Sequence, residues 1–168
     1  MLSKEMHEDL NEQMKFELYS GYLYLAMSAW FADLSLAGFA KWMRIQAQEE
    51  LAHAMHFYDY IVARGGKVLL QAIDAPPVEW KSPLHAFQAT LGHEQQVTTR
   101  IHTLMDKAFI EKDHPTVAML QWFVNEQIEE EESANEVLNK LKLVGNTGEC
   151  LLFLDKELGL RTLTQTAA

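Results

Sequence analysis

Cysteine and proline, which build disulfide frameworks, metal clusters and frequent turns, are scarce in this sequence. Of 168 residues, one is cysteine and four are proline. The single cysteine, Cys150, excludes an intrachain disulfide and any metal cluster built from several cysteines. Because Cys150 falls in the short helix predicted at the end of the chain, we expect it to be an inert, buried thiol.

Positive charge and long apolar runs are scarce too. The 14 Lys and Arg residues are outnumbered by 24 Asp and Glu residues, so the formal net charge is −10. This balance repels nucleic-acid phosphates and anionic membrane surfaces, and it attracts cations. No apolar run approaches the roughly 18 residues of a membrane span, and the first residues, MLSKEMHEDLNEQM, lack the apolar centre of a signal peptide. We therefore expect a cytoplasmic protein with neither a nucleic-acid nor a membrane partner.

Between the few prolines, apolar residues recur every three or four positions, which is typical of amphipathic helices. The pattern predicts one all-α domain over residues 1–168. Its joins are short except for a long connection at about 66–82, which indicates a four-helix bundle with one long crossover between the second and third helices. The predicted elements are helices at about 3–33, 35–65, 83–113 and 114–145, a short fifth helix at about 147–158 and a loose tail at 162–168.

Each long helix also carries carboxyl or amide residues on its apolar stripe. At ~100° per residue, Glu17, Glu50 and Glu94 fall on the core-facing lines of the first three helices, and Gln127 and Glu130 fall on that of the fourth. A lone ionised carboxylate in a core costs several kcal/mol. Since Lys and Arg are rare on these stripes, bound cations are the simplest shared counter-charge. Buried ion pairs or hydrogen-bonded acids are the alternative.

The spacing of these residues repeats. Thirty-three positions separate Glu17 from Glu50, and a further ligand type, His53, follows three positions later on the same helix face. The second half of the chain repeats this layout 77 positions further on. The related pairs are Glu17 with Glu94, Glu50 with Gln127, His53 with Glu130, and Glu49 with Glu126. The chain therefore reads as two helical hairpins that present their polar groups to one site in the middle of the bundle.

The two halves are not identical in chemistry. A di-iron bundle generally uses one Glu from each of two helices and a Glu-x-x-His motif from each of the other two. Glu50 and His53 form such a motif, whereas Gln127 and Glu130 replace it in the second half. We therefore predict two unequal metal positions bridged by Glu50. The first takes Glu17, Glu50 and His53; the second takes Glu50, Glu94 and Glu130, with Gln127 as a weak partner. An open, oxygen-rich site of this kind suits iron that arrives, reacts and leaves.

Several stretches carry a family resemblance that covers nearly the whole chain. They are LNEQMKFELYSGYLYLAMSAW, AQEELAHAMHFYDYI, GHEQQVT, LQWFVNEQIEEEE and LFLDKEL. Together they resemble the bacterial non-haem ferritins. The resemblance implies the ferritin-like fold and a ferroxidase centre that oxidises Fe(II) with dioxygen or hydrogen peroxide. It also implies that the ferric oxide is stored inside a shell of 24 identical subunits.

The resemblance also assigns expected roles. The first iron site matches Glu17, Glu50 and His53, and the second matches Glu50, Glu94 and Glu130. A third iron site of the bacterial proteins matches Glu49, Glu126, Glu129 and Glu130. Gln127 matches a glutamine near the second iron, and Tyr24 matches a tyrosine that hydrogen-bonds a ligand or supplies an electron. The residues expected to take part in the oxidation are Tyr24, Glu50 and Gln127. An ordinary core tyrosine is the alternative for Tyr24.

Related proteins fit less well. Bacterioferritin carries Glu-x-x-His in both hairpins and a haem-ligating methionine directly after the Glu of the second helix, where this chain has Leu51. We therefore predict no haem. A rubrerythrin needs a cysteine-rich segment, and a DNA-protecting mini-ferritin places iron between subunits. A haem-lacking bacterioferritin-like protein, a peroxide-detoxifying ferritin-like protein and a cation-binding bundle without redox chemistry remain as alternatives.

Overall fold

The computed structural model describes residues 2–145 and 148–163. Within those ranges the chain forms five α-helices and no strand. They are α1 (Lys4–Asp33), α2 (Ala37–Ala63), α3 (Pro83–Ile110), α4 (His114–Val144) and α5 (Gly148–Leu158). The predicted all-α fold with a short fifth helix is confirmed, and the helix ends lie within a few residues of the sequence boundaries. The expected start of the fifth helix at Thr147, and residues 164–168 of the expected tail, lie outside the described residues.

The helix ends follow from local chemistry. The Ser3 hydroxyl accepts a hydrogen bond from the Met6 backbone N–H at 3.0 Å and caps α1. The Ser82 hydroxyl caps α3 in the same way, directly before Pro83, a residue suited to the first helical turn. After α4 the chain adopts a positive φ of 59° at Gly145, a conformation that glycine adopts without steric cost. The capping residues therefore fix where these helices begin and end.

Helices α1 and α2 pack as one hairpin, and α3 and α4 pack as the other. The long crossover between α2 and α3 is fastened to α1 by buried or partly buried polar groups. The Asn11 side-chain oxygen accepts a hydrogen bond from the Leu69 N–H at 2.7 Å, and the His7 ring contacts both backbone groups of Lys67. These bonds satisfy backbone groups of a segment that has no helix of its own.

The apolar core consists of two clusters with a polar layer between them. One cluster contains Phe31, Phe39 and Phe87 and includes residues of α5. The other contains Phe57 and Phe123, whose rings stack with centroids 4.3 Å apart. Along each helix, the residues between the two clusters are the polar ones that the sequence places on the apolar stripes. The fold therefore holds a polar site at mid-bundle with apolar packing at both ends.

Helix α5 is fastened to the start of α2. The Asp155 carboxylate accepts hydrogen bonds from the backbone N–H groups of Gly38 and Phe39 at 2.8 and 3.0 Å, so it caps a helix whose own N-cap residue supplies no side-chain bond. A Cβ on Gly38 would lie 1.6 Å from the Asp155 carbonyl oxygen, so this close approach requires glycine. Negative charge at a helix N-terminus is favourable. Helix α5 is thus held against the start of α2.

The expectation of a buried thiol was wrong. Cys150 is exposed, as are the other residues of the first turn of α5. The first partly covered residue of the helix is Leu151, and Leu154 and Leu158 are the residues it buries. The apolar composition of the segment did not reveal that its first turn lies outside the packed part. In the described part of the chain, no helix is both long and apolar enough to cross a membrane.

Candidate metal centre

All four long helices contribute polar side chains to the layer between the two apolar clusters. These side chains are buried, with at most 6% of each residue exposed: Glu17 from α1, Glu50 and His53 from α2, Glu94 from α3, and Gln127 and Glu130 from α4. The helical stripes had placed each of them on a core-facing line. The structure brings them into one interior region, as the repeat of 33 and 77 positions predicts.

The tightest set comprises Glu17, Glu50 and His53. One ligand atom from each residue lies within 4.8 Å of the other two. The Glu17 Oε2, Glu50 Oε2 and His53 Nε2 atoms are buried and have no hydrogen-bond partner. Buried polar atoms are normally satisfied, so three unsatisfied atoms from neighbouring residues need an explanation. A divalent cation bound between two carboxylates and an imidazole supplies one.

The second predicted set is arranged differently. Among the described residues, neither triad of ligand atoms within 4.8 Å includes Glu94. Instead, Glu94 accepts hydrogen bonds from the Tyr24 hydroxyl and, at 3.3 Å, from the Gln127 amide. Glu130 accepts one from the Gln46 amide at 2.5 Å. Glu94 and Glu130 therefore face the same interior region as Glu50, but neutral donors hold them.

The interior carboxyls have strongly perturbed pKa values. Burial, reinforced by the charge of Glu50, raises the pKa of Glu17 to about 8 and that of Glu130 to about 7. Burial and the charges of Glu50 and Glu130 also raise the pKa of Glu94 well above its usual value. The raised pKa values favour the protonated forms of these three carboxyls, and a cation that binds those forms must displace their protons.

Glu50 and His53 shift in the opposite sense and form an ion pair. Burial alone would raise the pKa of Glu50, but interactions with His53 outweigh it and lower that pKa. Burial alone would lower the pKa of His53, but the carboxylates of Glu126 and Glu50, 3.8 and 3.5 Å from its ring nitrogens, raise it. Glu50 is therefore the ionised acid at the centre of the group, which suits the bridging position predicted from the sequence.

Tyr24 lies beside the centre, as predicted. It is fully buried, its hydroxyl donates to Glu94, and its ring meets that of His93 edge-on with centroids 5.9 Å apart. Burial and the neighbouring Glu94 raise the pKa of Tyr24, so the phenol stays neutral and remains a hydrogen-bond donor. The Tyr24 hydroxyl thus bonds directly to one of the interior carboxyls.

The four residues expected at a third iron site do not all lie together in the structure. Glu126 and Glu130 lie close to His53, and one ligand atom from each of these three residues lies within 4.8 Å of the others. Glu49 is buried but paired with Arg161, whose guanidinium lies 2.5 Å from its carboxylate. Glu129 is exposed on α4. The structure thus assembles half of the expected set and adds the histidine of the first site.

Two glutamines and two arginines were missed as parts of this site. The Gln13 amide nitrogen donates to Glu17 at 2.7 Å, and Arg100 holds the Gln13 amide oxygen at 2.8 Å. The Gln46 amide nitrogen faces Glu130 and Glu50, and Arg161 holds the Gln46 amide oxygen at 2.9 Å. A signal for the glutamines was available, because Gln13 and Gln46 each precede a site Glu by four positions and are themselves 33 positions apart. Nothing in the sequence pattern indicated the arginines.

The sequence also matches known proteins. Residues 7–144 match the ferritin family, described as a ferritin-like domain. A bacterial non-heme ferritin of Shigella flexneri is 43% identical over 158 residues, covering 94% of this chain and 96% of that protein. A bacterial non-heme ferritin of Bacteroides fragilis is 40% identical over 161 residues, covering 96% of this chain and all of that protein.

Solved structures agree. An open pore ferritin from the hyperthermophilic archaeon Archaeoglobus fulgidus superposes with a TM-score of 0.95 at 51% identity, covering 96% of this chain and 100% of that one. A closed form of the same ferritin, engineered by mutagenesis, gives a TM-score of 0.96 at 51% identity over 98% of this chain. With a matching family domain, close relatives over nearly the full length and the same fold, this chain belongs to the ferritin-like family, among the bacterial non-heme ferritins.

Proposed function

We propose that this protein stores iron and that its mid-bundle centre oxidises Fe(II) before storage. The observation that carries the proposal is the group of three buried ligand atoms from Glu17, Glu50 and His53 that lack a hydrogen-bond partner. Leaving such atoms without a hydrogen bond costs about 1–3 kcal/mol each. Among the described residues, the buried side-chain atoms that lack one all belong to this group. Membership of the bacterial non-heme ferritins supports iron as the cation.

In this proposal, iron is the substrate and the side chains position it. Glu17, Glu50 and His53 bind one Fe(II), and Glu50, Glu94 and Glu130 bind a second, so that Glu50 is shared. Two Fe(II) ions supply two electrons. With two protons, these electrons reduce one dioxygen to hydrogen peroxide, or one hydrogen peroxide to two waters. Protons displaced from Glu17, Glu94 and Glu130 on metal binding are available to balance that reduction.

Tyr24 and Gln127 have supporting roles in the proposal. Both donate hydrogen bonds to Glu94, the carboxyl that faces only the second position. For Glu94 to bind a metal, one of its oxygens must turn from these donors while the other stays held. Tyr24 is also an oxidisable side chain in direct contact with a ligand, so it is placed to supply an electron. Gln127 contributes a neutral amide where the first half of the chain has Glu50, which keeps the two positions unequal.

Assembly into a hollow shell of 24 subunits is also part of the proposal, because storage needs an enclosed space. The subunit exposes large apolar side chains that contacts between subunits would cover. Those at least 49% exposed include Tyr22, Leu25, Ile110, Leu143 and Phe153. We further propose a cytoplasmic location. A subunit-sized peak in size-exclusion chromatography at micromolar protein would contradict the shell.

Aerobic addition of Fe(II), followed by ferric absorbance, tests the function. We expect rapid oxidation by the native protein and loss or strong slowing in Glu50→Ala and Glu130→Ala, because both remove interior ligands. Glu132→Ala is the matched control, since Glu132 is exposed on the same helix as Glu130. Native rates in both interior variants would contradict a centre inside the bundle. Tight binding of Fe(II) without oxidation would instead indicate a passive cation-binding bundle.

A further inference from the structure

A cation from the chain itself occupies one of the carboxylates expected at the third iron site. The Arg161 guanidinium donates to Glu49 Oε2 at 2.5 Å and, through its other terminal nitrogen, to the Gln46 amide oxygen at 2.9 Å. Its central carbon also lies 4.3 Å from the centroid of the Trp42 ring, a cation–π contact. Arg161 is therefore bound on three sides by residues of α2.

This pair is well shielded from solvent. The exposed fraction of the Arg161 side chain is 19%, and that of Glu49 is 8%. Charge-assisted hydrogen bonds of this type are stronger than neutral ones and are weakened less by salt when they are partly buried. The Arg161 contact is thus a specific interaction with Glu49 and not a loose surface ion pair of the kind that contributes little.

The packing of α5 on α2 positions Arg161 beside Glu49. Asp155 caps the start of α2, and the Lys41 ammonium donates to the Gly159 carbonyl at 2.7 Å. The Arg161 backbone N–H then bonds the Leu158 carbonyl at 3.2 Å, which continues the turn after α5. Since Asp155 and Gly159 are both bonded to α2, the backbone that carries Arg161 is held close to Glu49.

We propose that Arg161 is a specificity-determining residue that limits the centre to two tightly bound metal ions. It holds Glu49 away from a third ion, which binds with full affinity only when Arg161 is displaced. The inference rests on the proposed function, because it presumes the two interior positions. Glu126 and Glu130 each place a carboxylate oxygen within 4.8 Å of His53, so a third ion there has partial ligation but lacks the carboxylate that Arg161 holds.

The size of the effect follows from what a third ion must replace. A hydrogen bond between charged groups contributes roughly 1.5–3 kcal/mol, which corresponds to about a 10- to 150-fold change in affinity. A third ion also meets the positive charge of the guanidinium close to its position. Removing Arg161 should therefore strengthen binding at the third position by at least about tenfold and leave the first two positions nearly unchanged.

Zinc binding by the assembled protein tests the proposal, because Zn²⁺ is redox-inactive. Arg161→Gln removes the charge, and Arg161→Lys keeps a charge without the two-pronged guanidinium. Lys156→Gln is the matched control, since Lys156 is exposed on α5 and its loss changes the net charge equally. Titration calorimetry gives the number of tight ions per subunit, and anomalous diffraction from zinc-soaked crystals locates them.

We expect two tight ions per subunit in the native protein and in Lys156→Gln. Arg161→Gln should show a third, with its anomalous peak between Glu49 and Glu126, and Arg161→Lys should lie between these cases. Two ions in every variant, or three of equal affinity in the native protein, would overturn the role of Arg161 while leaving the proposed function intact. A native protein without two tight interior ions would overturn the proposed function, and this inference with it.

Discussion

The substitution Glu17→Gln should make the metal-free protein more stable while removing its first metal position. Burial and the charge of Glu50 raise the pKa of Glu17 from 4.5 to about 8. A group whose folded pKa is raised contributes stability that is present below its unfolded pKa and lost as pH rises towards its folded pKa. Glutamine has nearly the same shape and does not titrate, so the substitution removes this loss.

The magnitude follows from linkage. Each pH unit between 4.5 and 8 costs the native protein about 1.4 kcal/mol relative to the variant, because the unfolded chain ionises Glu17 and the folded one does not. The advantage of Glu17→Gln should therefore be near zero at about pH 4.5 and on the order of 3 kcal/mol at about pH 7. The amide oxygen can still accept the hydrogen bond from Gln13.

Guanidinium unfolding of the metal-free protein at about pH 5 and about pH 7 measures this difference, with the exposed Glu132→Gln as control. Adding Zn²⁺ should then stabilise the native protein strongly and Glu17→Gln only weakly, because a ligand stabilises the state that binds it. A variant less stable than the native protein at neutral pH, or a difference independent of pH, would refute the reasoning about burial. Equal stabilisation by zinc would refute the assignment of Glu17 as a ligand.

Three further substitutions separate chemistry from packing. Tyr24→Phe removes the hydroxyl that donates a hydrogen bond to Glu94. Fe(II) oxidation, followed by stopped-flow absorbance, should therefore slow, while the protein still binds two zinc ions per subunit. An unchanged rate would show that Tyr24 has no part in the mechanism. Phe123→Ala should lower the free energy of unfolding by about 3–5 kcal/mol, because Phe123 is fully buried and stacked in the core; a loss below about 1 kcal/mol in denaturant titration would contradict that packing. Gly38→Ala should undock α5, seen as faster hydrogen exchange over residues 148–158 and at the amides of residues 38 and 39, from which Asp155 no longer accepts hydrogen bonds. Native protection in these places would disprove the close approach.

The general architecture and the interior ligands are predictable because they leave periodic traces in the sequence. The helical stripes and the repeat of 33 and 77 positions are enough to place Glu17, Glu50 and His53 together. Those relations hold because residues one or two turns apart share a helix face and because the two hairpins have nearly the same length. Residues that are distant in sequence can therefore be predicted to share a site where the two halves of the chain repeat the same spacing.

The features that could not be predicted depend on contacts between helices, and such contacts leave no periodic pattern in the sequence. Arg161 reaches Glu49 only because α5 folds back on α2, and the close approach of Gly38 to Asp155 sets that geometry. The exposure of Cys150 has the same origin, since apolar composition does not say where packing of α5 begins. The residues expected at the third iron site are separated for the same reason. Glu49 is paired with Arg161 and Glu129 is exposed, and both outcomes depend on how the helices pack.

Anomalous diffraction from iron-soaked crystals tests the central claim most directly. We predict two neighbouring iron peaks inside each subunit, one between Glu17, Glu50 and His53 and one between Glu50, Glu94 and Glu130. In the native protein we predict no third peak of equal height beside Glu49 while Arg161 remains on it. Iron found only on the surface, or an interior region without any peak, would contradict the account.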